Sequence, residues 1–167
     1  MRRVVCAALV VALAGCAAPE AEPEQAEASA PLAAPSAPGP SPEEKAVNAY
    51  LGMMGAVVEA SLDGAEDHPD LELYARGQAL ELATGMLDGA KAMGEPVLRP
   101  EVTDTDLEAD PASIMVEDCM DNTEWVIEGF EEMDPEERNT RLFQATVTDQ
   151  QGKWKVDELW LGEFDEC

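Results

Sequence analysis

The pattern of apolar and polar positions changes rhythm along the chain. Val4 to Leu13 is an apolar run behind the basic start Met1-Arg2-Arg3. From Ala17 to Pro42, Ala, Pro, Glu and Ser take over and no apolar period survives. Helical spacing begins at Ser41. Ser41-Pro42-Glu43-Glu44 places Ser at an N-cap, Pro at the first helical position and Glu at the third, the arrangement of a capping box. Val47, Tyr50, Leu51, Met54, Val57, Val58 and Leu62 then recur on one helix face, and Asp63-Gly64 closes the segment. His68-Pro69-Asp70 is a second start, followed by a short helix with Leu71, Leu73 and Tyr74. After a break at Gly77, a third helix is predicted over Gln78 to Met93, with Gly94 as its C′ residue and Pro96 behind it.

Beyond Pro96 the period becomes two. Strands are predicted over Pro96 to Thr105, Ser113 to Met120, Glu124 to Phe130, Arg141 to Thr148 and Lys153 to Phe164. Pro100 assigns part of the first to a sheet edge or bulge. Glu131 to Glu137 reads as an acidic loop, and Asp149-Gln150-Gln151-Gly152 as a hairpin turn. On the last strand the alternation puts Trp154, Val156 and Trp160 on one face and Leu159 and Leu161 on the other. Helices come first and an antiparallel meander follows. The fold class is therefore α+β, with two to three N-terminal helices packed on a curved antiparallel sheet of four to five strands.

The apolar run at the N-terminus falls short of the roughly 20 residues that span a bilayer as a helix. It leads into Leu13-Ala14-Gly15-Cys16, which resembles the bacterial lipobox. That resemblance implies a signal peptide over 1–15, a diacylglyceryl group on the Cys16 sulfur, and cleavage that makes Cys16 the new N-terminus. The protein is then expected on the extracytoplasmic face of the cell membrane, held by its lipid. Two acyl chains anchor stably, since each buried CH₂ contributes about 0.8 kcal/mol. Residues 16–42 are expected to be the lipidated Cys and a disordered Ala/Pro/Glu tether, able to reach about 80 Å when extended. Residues 43–167 form the folded domain.

Charge narrows the partners. Lys+Arg number 10 against 36 Asp+Glu, a formal net charge of −26 that excludes nucleic acid and anionic lipid as direct ligands. The membrane is reached through the anchor on Cys16, and an envelope protein or wall component is the expected partner of a monomer or dimer. The acidity also matches a salt-adaptation pattern, so the domain is expected to be more stable in concentrated salt. Cys6 lies in the removed segment, which leaves Cys119 and Cys167 as an even pair in an oxidising compartment, the setting for a disulfide.

Candidate chemistry is sparse. His68 is the sole histidine, so a Ser-His-Asp triad, a Cys-His dyad or a histidine zinc site would each have to use it. Its place before a helix Pro is that of a capping or solvated residue. Glu117, Asp118 and Asp121 concentrate carboxylates on regular structure, which suits acid–base work or Ca²⁺, but equally a strand end and turn. Met53, Met54, Met86 and Met93 have the soft thioethers of a copper carrier and, more simply, of adaptable core filling. Neither a P-loop nor a GxGxxG, GxSxG or HExxH string occurs. No cofactor, no metal and no catalytic residue is expected.

Two levels of resemblance add to this. Helices followed by a curled antiparallel sheet look like the cone-shaped nuclear-transport-factor-2-like fold, also called cystatin-like or SnoaL-like. Several strings resemble small secreted lipoproteins of high-GC Gram-positive bacteria: Ala49-Tyr50, Tyr74-Ala75-Arg76-Gly77-Gln78-Ala79-Leu80, Gly94-Glu95-Pro96-Val97-Leu98-Arg99-Pro100, Glu117-Asp118-Cys119-Met120-Asp121-Asn122-Thr123-Glu124-Trp125, and Cys167. The resemblance covers 43–167 and implies no reaction. Three classes of function follow. The first is a non-catalytic binding or accessory domain in the envelope. The second is a binder of a small apolar molecule in a cone cavity lined by Tyr50, Met54, Trp125, Val147 and Trp160, with Asp118 as a polar contact. The third is an enzyme that uses Asp118 with Tyr50 or Tyr74 as acid and base.

Overall fold

A computed structural model describes residues 39–128 and 139–167. The signal segment, the lipobox, most of the tether and the acidic loop lie outside the described residues.

Helix α1 (Pro42–Asp63) starts as its sequence dictates. Ser41 Oγ accepts the Glu44 N–H at 3.2 Å, and Glu44 Oε2 accepts the Ser41 N–H at 2.7 Å. Gly64, at φ 65°, closes the helix with its N–H on the carbonyls of Ala60 and Ser61. Helix α2 (Leu71–Tyr74) is a single turn, with its N-terminus held by His68, whose Nδ1 accepts the Asp70 N–H at 3.2 Å. Helix α3 (Gly77–Leu87) is shorter than its spacing predicts. Asp88 turns extended and Gly89 takes φ 71°, so the backbone leaves the helix before Ala90. Ala92–Met93 instead forms strand β1, paired with strand β4 (Val126–Ile127). Among the described residues no helix is long and apolar enough to cross a membrane.

The main sheet is antiparallel, in the order β2 (Pro100–Asp106), β3 (Ser113–Asp121), β5 (Thr140–Gln150), β6 (Lys153–Phe164). Pro100 opens edge strand β2, where its missing N–H costs no ladder bond, and a bulge follows between Val102 and Asp104. Residues 96–99 connect rather than pair, apart from a bridge between Val97 and Asp121. Gln151 (φ 60°) and Gly152 (φ 82°) form the two-residue turn between β5 and β6, the left-handed pair that matches strand twist.

Three helices on antiparallel sheets make this an α+β fold. The core lies between α1 and one face of the four-stranded sheet. Tyr50, Met53, Met54 and Val57 from α1 meet Ile114, Val116, Met120, Phe143, Ala145, Val147 and Val156, all essentially without exposed surface.

Strand β6, like β2, departs from simple alternation. Thr146 faces Glu158 and Val147 faces Val156, which leaves Asp157 as an extra residue in β6. The bulge reverses the phase from Glu158 to Leu161, and a second shift follows between Leu161 and Phe164. Trp154, Val156, Leu159 and Leu161 therefore pack on the core side, while Trp160 points to the opposite face and is 51% exposed. The expected grouping of Trp160 with Trp154 and Val156 is corrected accordingly.

Candidate functional site

Of the carboxylates that drew attention in the sequence, Asp118 alone turns inward. The alternation along β3 buries Ile114, Val116, Asp118 and Met120 and leaves Met115, Glu117 and Cys119 on the outer face. Tyr50 reaches it from α1 and donates its hydroxyl to Asp118 Oδ2 at 3.0 Å. The Arg99 N–H donates to Oδ1 at 2.8 Å, from the connection ahead of β2. Burial raises the Asp118 carboxyl above its ordinary value, against the lowering pull of the Arg99 N–H, the Tyr50 hydroxyl and the Arg99 charge. The Tyr50 phenol is pushed well above its ordinary value by burial first and by the neighbouring carboxylate second. It is a permanent donor. Both residues have no exposed surface, and both carboxylate oxygens are engaged, so the pair ties helix to sheet rather than facing a substrate.

Tyr74 lies elsewhere. Its ring covers Gly52, where an added Cβ would sit 2.5 Å from two ring carbons. Positions 50 and 52 are on opposite sides of a helix, so Tyr74 takes no part in the Asp118 contact. Met54 and Val147 are core residues without exposed surface, and Trp125 is nearly buried, its indole N–H donating to Ser61 Oγ at 3.1 Å. Tyr50, Asp118, Met54, Val147 and Trp125 thus share one packed interior, and Trp160 stands apart from them. His68 caps α2 and lies 3.5 Å from Glu59.

The resembling strings turn out to carry structural work. The Arg76 N–H donates to the Val156 carbonyl at 2.9 Å, and Ala75 bridges to Val156 in parallel. Arg76 also pairs with Asp157 at 3.4 Å and bonds Thr148, so it holds the bulge in place. The Gln78 side chain accepts from Leu159 N at 2.7 Å and donates to Leu159 O at 2.9 Å, covering the edge of β6. Asp121 Oδ1 accepts from Thr123 N and Oγ1 at 3.0 and 2.6 Å to form the turn before Trp125. Cys119, on the outer face of β3, is bonded to Cys167 with their Cα atoms 5.8 Å apart.

A groove of about 340 Å³ lies on the outer face of the sheet. Gln78, Met115, Gln144, Thr146, Glu158, Leu159 and Trp160 line it. Of these, the sequence pattern marks Trp160 alone as a site residue, and it stands on the outer face of the sheet instead of with Tyr50, Met54, Trp125 and Val147 inside. The signal for Met115, Gln144 and Thr146 was the alternation itself, which places mixed apolar and polar residues opposite the buried ones. Among the described residues no cluster of His, Cys, Asp and Glu has the arrangement to hold a metal ion.

No family model and no curated protein matches this chain. Among solved structures, the intermembrane space region of the chloroplast protein ARC6 is similar at 15% identity with a TM-score of 0.40, covering 74% of this chain and 98% of that one.

Proposed function

We propose that this chain is an envelope lipoprotein, anchored through Cys16 on the extracytoplasmic face, whose folded domain is a non-catalytic binding module. The outer face of the β3–β5–β6 sheet is its recognition surface. The observation that carries this reading is Trp160, a large aromatic left 51% exposed in a groove on that face. A buried indole would contribute far more to stability, and exposed aromatics in concave sites are the usual anchors of recognition. Two observations weigh against the rival readings. Acid–base chemistry at Asp118 would need an open carboxylate, whereas both oxygens are bonded inside the core. An apolar ligand among Tyr50, Met54 and Val147 would need space that their own side chains fill.

The experiment is native mass spectrometry of the whole chain recovered from the envelope of the producing cell. The expected result is an acyl mass increment that Cys16→Ser removes, together with a noncovalent partner that Trp160→Ala releases. Partner retention indifferent to Trp160→Ala would overturn the choice of face. An unlipidated, freely secreted chain would overturn the anchor.

A further inference from the structure

From the groove's chemistry we infer that it takes an arginine side chain presented by a segment of the partner protein, an inference that rests on the binding-face reading above. Register fixes the layout. Glu117, Gln144 and Trp160 form one cross-strand row, and Met115, Thr146 and Glu158 form the next. Adjacent rows on one face are separated by two residues, about 7 Å along the strand, and neighbouring strands by about 4.8 Å. The Trp160 indole and the Glu158 carboxylate therefore stand on the same strand and face, about one side-chain width apart. At position 162 there is only a glycine, and a Cβ placed there would lie 3.2 Å from Trp160 Cζ3. The same position lies against the Glu166 carboxylate, so the indole edge and that side chain meet over Gly162, while Glu158 and Trp160 both line the groove.

The formal charge at the walls is carboxylate: Glu158 lines the groove and Glu117 borders it. The Gln144 amide donates one N–H to Glu117 at 2.6 Å, which joins those two side chains in one row. Both ends of the Gln78 amide are spent on Leu159. No lining residue is cationic. The ligand that complements this charge brings positive charge, and the net charge of −26 favours its approach. An aromatic face selects an organic cation over a hydrated metal ion. Guanidinium meets both walls at once: its plane stacks on an indole while its edge donates in a fork to a carboxylate, which a lysine ammonium cannot do. A glycan would also stack on the indole, but it would leave the carboxylates without a counter-charge.

The test titrates the whole chain with an acetylated, amidated peptide of four Gly-Arg repeats. The parallel probes are the lysine peptide, its citrulline counterpart (the neutral analogue of arginine) and chitohexaose. Binding is followed by calorimetry and by the chemical shift of the Trp160 indole N–H. The expected order is arginine, then lysine, then citrulline. Trp160→Ala should weaken the arginine peptide at least tenfold and Glu158→Gln about fivefold. Asp63→Asn with Glu66→Gln, exposed at the C-terminal end of α1, which packs on the opposite face of the sheet, should change it less than twofold. Equal affinity in all variants would reduce the effect to the net charge and overturn the inference. Chitohexaose binding that Trp160→Ala abolishes, with no preference for arginine, would overturn the ligand class and keep the face. If no probe shifts the indole while the envelope partner is still released by Trp160→Ala, the arginine inference fails and the binding-face reading stands.

Discussion

Tyr50→Phe removes one oxygen from the core and leaves a buried carboxylate with a single donor. The lost bond is 3.0 Å long and runs to a buried carboxyl, and hydrogen bonds to a charged partner are worth about 1.5–3 kcal/mol. A loss of about 2 kcal/mol lowers the melting temperature of a domain of this size by about 8 °C. The pH dependence separates this account from simple loss of packing. Because burial raises the Asp118 carboxyl, the native state holds its proton at higher pH than the unfolded chain, whose value is near 3.8. The charged form thus costs stability above the native pKa, and the cost fades as pH falls through that value toward the unfolded one. Asp118→Asn removes the charge and keeps the contacts: its oxygen accepts the Arg99 N–H and its amide donates to the Tyr50 oxygen. The stability of Asp118→Asn relative to the native chain should be greatest near pH 8 and decline toward pH 4.5, just above the isoelectric point of about 4.1. The Tyr50→Phe deficit should shrink over the same range, since a neutral carboxyl loses less. Urea unfolding at several pH values reads both differences. Gaps that stay flat, or that widen on acidification, would refute the argument that desolvation dominates at Asp118.

Further outcomes follow from the same structure. Gly52→Ala places a Cβ 2.5 Å from the Tyr74 ring and should cost about 1–3 kcal/mol; most of that cost should vanish in a Tyr74→Ala background, as a double-mutant cycle in urea would show. Replacing Cys119 and Cys167 together by Ser opens a loop of sequence separation 48, for which chain entropy gives about 4 kcal/mol, and an unchanged denaturation midpoint would contradict it. With a formal charge of −26, the melting temperature should rise between 0.05 and 1 M NaCl, and equal midpoints would show that self-repulsion is negligible.

Much of this fold was legible because local signals and burial agree. The capping box at Ser41, the hairpin at Gln151-Gly152 and the strand limits of β6 lie where residue type alone places them. The third helix was over-extended because Leu80 to Ala90 keeps a helical period across Asp88-Gly89, and the pairing of β1 with β4 is a long-range contact that no local period encodes. Asp118 was legible as a candidate, but its partner was not. Tyr50 and Tyr74 are chemically equal, and the choice depends on how α1 is rotated against β3. The greatest difference arises from one residue. Trp154 and Val156 set one phase and Leu159 and Leu161 the other, with the polar pair Asp157-Glu158 between them, and the phase breaks at Asp157 with bonds from Arg76 and Thr148, remote in the chain.

That single shift moves the candidate site from one side of the sheet to the other, and its direction is informative. Sequences specify folds when local preference and burial agree, and the exceptions concentrate where something other than stability is selected. Asp118 is one such exception, a carboxylate in an apolar core, but its two bonds account for it as a tie between α1, β3 and the Arg99 backbone. Phe164 is another, half exposed, and the Arg141 guanidinium covers its ring at 4.8 Å. Trp160 has no such account. Without the bulge the alternation would have carried its indole into the core, and the bulge that turns it outward is itself held by Arg76, Thr148 and the adjacent Gln78 contact. The chain thus uses a set of buried and half-buried polar contacts to keep an aromatic in water beside a carboxylate. An exposed indole contributes less to stability than a buried one, and on that ground we propose the binding surface there and not in the interior.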